Sequence, residues 1–194
     1  MPICAQTAER PEWKIGDTWT YHERSGLPTV ESDWSWKVIE SLPEGRFAVD
    51  TAMGEKLIFD NEGNRMVDRV RKDSSRRSFD FPLSVGKRWT DERTIGGERR
   101  SGNENSSWEV KAYEKITVPA GTFDCFRVEG VIWRVSTNAM TLHPEIGVAQ
   151  IDNTYWYCPE VKGVAKWKTH SQAHKYAPFI DKESVLTSFV AGPR

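Results

Sequence analysis

The chain has 194 residues, enough for one domain of ordinary size or two small ones. Charged residues are 28% and hydrophobic ones 38%, a globular composition rather than a disordered or fibrous one. The 27 Lys and Arg against 28 Asp and Glu leave a net charge of -1, without the basic excess of a nucleic-acid binder, and no apolar run approaches the roughly 20 residues of a membrane helix.

Residues 1–10 read as a signal-peptide remnant or a flexible amino terminus, and residues 11–194 as one all-β domain. A signal-peptidase cut after Ala5, with Ile3 two positions earlier, makes Gln6 the first mature residue. Bulky Ile3 argues against a lipoprotein signal at Cys4; a ragged cytosolic terminus is the alternative. The cut leaves Cys125 and Cys158, 33 residues apart. In an oxidising compartment these two form a bridge, and in a reducing one they are two thiols. Neither lies in a C-x-x-C pair, so nothing here supports a zinc site.

In chain order, residues 18–24 place Trp19 and Tyr21 on one face. Residues 30–38 show the clearest period-2 pattern, with Val30, Ser32, Trp34, Trp36 and Val38 on one side. Residues 46–51 offer Phe47, Val49 and Thr51, and residues 106–116 offer Trp108, Val110, Ala112 and Ile116. Residues 122–137 change phase, from Phe126 and Val128 to Val131, Trp133 and Val135. Gly130 stands at the change, which predicts a bulge or bend there. Residues 177–183 read as one short helical turn, and residues 184–190 as a last strand. Pro43-Glu44-Gly45 and Pro119-Ala120-Gly121 both place Pro and Gly at the second and fourth turn positions, as a type I turn prefers, and residues 60–64 are a further hairpin connection.

One motif recurs. Ile15-Gly16-x-x-Trp19-Thr20 is repeated as Val85-Gly86-x-x-Trp89-Thr90, which predicts two related halves. Charge is uneven under the balanced total. Residues 1–64 hold 6 basic and 12 acidic groups, and residues 65–100 hold 11 and 6. Arg69, Arg71, Lys72, Arg76 and Arg77 form the densest basic run, a solvated edge or a patch for anionic polymer or lipid.

Enzyme signatures are missing: there is no G-x-S-x-G elbow and no P-loop. His170 and His174 stand four apart, a spacing that suits one metal ion only on a helix, and no third ligand follows. No catalytic residue, metal site or cofactor is assigned. The nine tryptophans remain. Most read as core, and Trp34, Trp36, Trp133 and Trp156 are the candidates for lining a ligand site.

Three segments together carry a resemblance. They are Trp13-Lys-Ile-Gly16-Asp17-Thr-Trp19-Thr-Tyr21, Ile116-Thr-Val-Pro119-Ala-Gly121-Thr-Phe123-Asp-Cys125, and Tyr155-Trp156-Tyr157-Cys158-Pro159-Glu160-Val-Lys-Gly163. In this order they resemble the TapB-like exported bacterial proteins, a periplasmic group of unknown function. The resemblance implies export, an all-β fold and no established activity. Similar sequences often have small residues where Cys125 and Cys158 stand here, which favours a bridge between these two.

The reading is therefore an antiparallel meander of about ten strands curled into a barrel or half-barrel. Its expected role is non-enzymatic, in the periplasm or outside the cell, with a lipid-like or other hydrophobic ligand in the concavity. A carbohydrate-binding module using exposed Trp and Tyr, and a hydrolase with a scattered site, are the alternatives. The expected partners are a hydrophobic ligand, a polysaccharide or an envelope component, with no nucleic acid and no membrane span; the sequence does not set the oligomeric state.

Overall fold

The computed structural model describes residues 6–52, 54–67, 76–95, 100–138, 145–171 and 179–193. Among these residues the strands are antiparallel, eleven of them in a single sheet. The first meander comprises β2 (Thr18–Ser25), β3 (Val30–Leu42), β4 (Arg46–Thr51), β5 (Lys56–Phe59) and β6 (Arg65–Val67). The second comprises β8 (Arg88–Ile95), β9 (Arg100–Val118), β10 (Gly121–Asn138), β11 (Glu145–Cys158), β12 (Gly163–Ser171) and β13 (Ile180–Val190). Each strand pairs with its successor, and the two meanders meet where β2 pairs with β13. The edges are β6 and β8, so the sheet curls as a half-barrel without closing. A separate small pair joins β1 (Thr7–Ala8) to β7 (Leu83–Ser84).

The motif repeat is real in three dimensions. Gly16 and Gly86 both take positive φ, 95° and 90°, which favours glycine at the two positions. Gly16 donates its N–H to Val38 O at 2.8 Å, and Gly86 donates to Val110 O at 2.8 Å. Val38 in turn donates to Asp17 O, and Val110 to Lys87 O, each at 2.9 Å. Trp19 lies opposite Trp36 on β3, and Trp89 opposite Trp108 on β9. Each half is thus started by a left-handed glycine that bonds the following strand two residues beyond a Trp–Trp pair.

Two hydrophobic clusters form the core, the first drawing on strands of both halves. One gathers Trp19, Tyr21, Val38, Val49, Leu57, Phe59 and Leu186, with Trp34, Trp36 and Trp167 packed on it. The other gathers Trp89, Trp108, Val110, Phe126, Val128, Ile132 and Tyr157. Residues 76–82 run as a strap against the second cluster. Phe79 and Phe81 lie 5.7 and 5.0 Å from the Tyr157 ring, and Trp89 donates its ring N–H to Arg77 O at 3.0 Å. Buried Asn64 holds the strap with two bonds, accepting from Phe79 N–H at 2.8 Å and donating to Phe79 O at 3.0 Å.

The ends of the chain are tied by Asp17. Its fully buried carboxylate accepts from Lys14 N–H at 2.8 Å, from Gly192 N–H at 2.7 Å and from the Lys162 ammonium at 2.9 Å. Burying a carboxylate is tolerable only with such partners. The disulfide between Cys125 and Cys158 joins β10 to β11 inside the first cluster.

Three local expectations are corrected. First, β10 does not change phase at Gly130. The irregularity lies at Arg127 and Val128, opposite an extra residue in β9. Phe126, Val128 and Ile132 stay on the covered face, while Trp133 and Val135 face outward. Gly130 sits opposite Trp108, and a Cβ there would lie 2.1 Å from the indole carbon Cε3. The glycine makes room for a ring from the next strand. Second, Ile180 to Glu183 are not helical but begin β13, where pairing with β12 and β2 on both sides overrides local preference. Residues 177 and 178 lie outside the described residues. Third, Glu44 adopts φ 62° and ψ 26°, a left-handed conformation that a type I turn does not contain.

The close approach at Gly130 makes a direct prediction. Gly130→Ala should lower the unfolding free energy by about 3 kcal/mol in a denaturant titration, as overpacking does. Adding Trp108→Leu should recover part of that loss, because the two sites couple. An unchanged denaturation midpoint for the single variant would refute the steric account.

Candidate functional site

A cleft opens at the seam between the two halves. Its lining comes from the loop before β2 (Trp13), from β2 (Trp19, Tyr21), from β3 (Trp36), from the strap (Phe79) and from β11 (Tyr157). Glu62 and Lys162 are its charged members. Three of the rings have their polar atoms committed to backbone carbonyls. The Trp13 N–H donates to Lys162 O at 2.8 Å, the Trp19 N–H to Val161 O at 2.7 Å, and the Tyr21 hydroxyl to Val164 O at 2.9 Å. What these rings present to the cleft is therefore carbon surface. Burial pushes the Tyr21 and Tyr157 hydroxyls well above the usual phenol range, so both stay neutral.

The cleft is small. Its volume is about 40 Å³. That is room for about three waters, far below the 300 Å³ or more of a typical small-molecule pocket.

The four tryptophans singled out from sequence do not converge. Trp36 lines the cleft. Trp34 is its neighbour, 5.1 Å away between ring centres, and stacks on Tyr21 at 4.5 Å. Trp156 is half-buried, donates its ring N–H to Glu114 at 2.8 Å, and has the Lys166 ammonium 5.5 Å from its ring. Trp133 is 50% exposed on the outer face, level with Asn105 of β9 and Gln150 of β11. Sequence reasoning missed Trp13, Trp19, Tyr21, Glu62, Phe79 and Tyr157 as a group. The available signal was the first resemblance motif, which holds three of them.

A second polar constellation lies on the covered face of β8–β10. Glu104 is 2% exposed and receives three guanidinium groups. Arg76 of the strap bonds it at 2.8 Å and Arg134 at 2.5 Å, with Arg93 also in contact. Burial alone would raise its carboxyl, but Arg76 above all, then Arg134 and Arg93, hold it at about 2. Of the basic run, Arg76 is thus tied to Glu104 and Arg77 to Asp80. Arg69, Arg71 and Lys72 lie outside the described residues, as do His143 and His174. His22 contacts Asp33 at 2.8 Å, and His170 faces Asp181 at 3.9 Å. Among the described residues no three His, Cys, Asp or Glu side chains group to hold a metal ion, and no helix is long and apolar enough to cross a membrane.

No known family profile matches the chain, and no curated protein is similar to it. The similarity found is of fold. A candidate lipoprotein from Parabacteroides distasonis superposes with a TM-score of 0.50 at 17% identity, over 95% of this chain and 100% of that one. The hypothetical lipoprotein YmcC from Escherichia coli gives 0.52 at 14% identity, over 92% of this chain and 86% of that one. The chain thus has the architecture of these proteins, an open, curled antiparallel sheet.

The Glu104 cluster contributes to the acid response. Its carboxyl titrates near 2 when folded, against an ordinary 4.5. Its contribution, on the order of 3 kcal/mol, is complete above about pH 4.5 and is lost as pH falls toward 2. Urea unfolding across that window should show stability dropping with acid. Glu104→Gln should be less stable at neutral pH and show a flatter acid limb; a parallel limb would discount the cluster.

Proposed function

We propose that the chain is an exported, non-enzymatic β-domain, at the periplasmic or outer side of the envelope, that holds an apolar group in the cleft at its seam. The observation that carries the binding reading is the cleft lining: six aromatic rings from five segments, three with their polar atoms tied away from the space they enclose. Apolar lining with few convergent polar groups is the usual character of a ligand site. The volume limits the occupant to a compact group or the end of a chain, so a whole lipid does not fit unless the strap moves. Export is supported by the disulfide, since such bonds persist in oxidising compartments. The lipoprotein descriptions of the two structural relatives and the TapB-like motifs point the same way.

Two experiments test this. A series of n-alcohols titrated calorimetrically should bind with affinity rising about fourfold per added carbon, then level off within a few carbons as the cleft fills. Trp36→Leu should weaken the best alcohol by roughly tenfold or more. Absence of saturable binding across the series would overturn the binding reading. For the compartment, alkylating intact cells before lysis should leave both Cys125 and Cys158 unmodified, and modification of both would overturn export.

A further inference from the structure

We infer that the group the cleft accepts is a compact quaternary ammonium, held by aromatic ring surface and by the Glu62 carboxylate. This rests on the reading of the cleft as a binding site and names its ligand class. The first support is the lining. The negative ring faces of Trp and Tyr attract cations, and a set of them around one small space is the usual cage for a methylated ammonium. With Trp13, Trp19 and Tyr21 already bonded to backbone carbonyls, their polar atoms are unavailable to a ligand. A primary ammonium or a guanidinium would bury N–H donors there with few acceptors, at a cost of a few kcal/mol. A quaternary nitrogen has no N–H to satisfy. A hard metal ion needs a shell of oxygens, which this lining does not supply.

The second support is charge. Among the described residues two charged side chains line the cleft, Glu62 and Lys162. The Lys162 charge is matched by buried Asp17 at 2.9 Å, so Glu62 sets the sign. Around Glu62 stand Asp60, Asp80 and Arg77, and Arg77 is paired with Asp80, which Lys87 also contacts at 3.1 Å. Burial first, then Asp60 and Asp80, hold the Glu62 carboxyl above the ordinary carboxylate value, against the pull of the Phe81 N–H and Arg77. A carboxylate so placed gains when a cation arrives.

The test uses two ligands of one shape. Choline and 3,3-dimethyl-1-butanol differ by a nitrogen cation in place of a carbon. Titrated into the full chain by calorimetry, choline should bind about tenfold more tightly than its neutral isostere. Glu62→Gln keeps an acceptor for the Phe81 N–H and should bring the two within about threefold. Choline affinity should fall as pH drops through the raised Glu62 value, while the isostere stays flat. If the wild-type chain binds both equally, the ammonium inference fails and the apolar-cleft reading stands. If it binds neither, both fail.

Discussion

The pairing of β2 with β13 turns two meanders into one sheet, and the rest of the molecule depends on that seam. Strands 18–25 and 180–190 come from opposite ends of the chain, so the pair closes its longest loop. Such a closure must be held by something stronger than a ladder edge, because the entropy of bringing distant segments together has to be offset. Asp17 does this at one end of the seam. One buried carboxylate satisfies two backbone N–H groups, from Lys14 and Gly192, and takes the Lys162 charge from the turn before β12. The backbone carbonyls of the same Lys162 and of Val161 and Val164 accept from the indole N–H of Trp13 and of Trp19 and from the Tyr21 hydroxyl. The seam and the cleft are therefore one construction, and the rings cannot be reoriented without loosening the joint.

Much of the architecture is legible in residue order. The alternation at Trp34, Trp36 and Val38 marks a strand with one covered face, and the six-residue repeat at Gly16 and Gly86 marks two halves that prove to share a hydrogen-bond pattern. What fails is whatever depends on a partner far away in sequence. Gly130 looks like a bend because its own strand gives no reason for a missing side chain; the reason is Trp108, twenty-two residues earlier and on the next strand. The start of β13 looks helical because its two flanking strands are invisible locally. The cleft is legible only in part. Its residues run from Trp13 to Lys162, and Phe79 belongs to a segment whose dense charge suggested a solvated edge.

That charge has a different use. Arg76 begins the strap and is bonded to Glu104, which also engages the neighbouring strands through Arg93 and Arg134. Asn64 fixes the strap three residues later at Phe79. A buried ion cluster adds little net stability over an apolar replacement, since desolvation offsets most of the attraction. It does fix position, because a carboxylate shared by three guanidinium groups accepts few alternative arrangements. The strap is thereby set in register over the second cluster, and Phe79 is set at the edge of the cleft.

Position then decides chemistry. Protein atoms in place of a space of about 40 Å³ would gain roughly 1 kcal/mol, at the usual cost of a cavity. A single larger side chain at Gly63, whose Cβ would stand 3.4 Å from the Trp13 ring, would begin to fill it. The turn instead has a glycine with φ 77° at that point, and Glu62 beside it. The hydrogen bonds that remove the polar atoms of Trp13, Trp19 and Tyr21 from the cleft are the same ones that hold the seam. Stability and selectivity therefore arise from one set of bonds: by fastening the rings to residues 161–164, the fold leaves their carbon surface and one carboxylate as what a ligand meets.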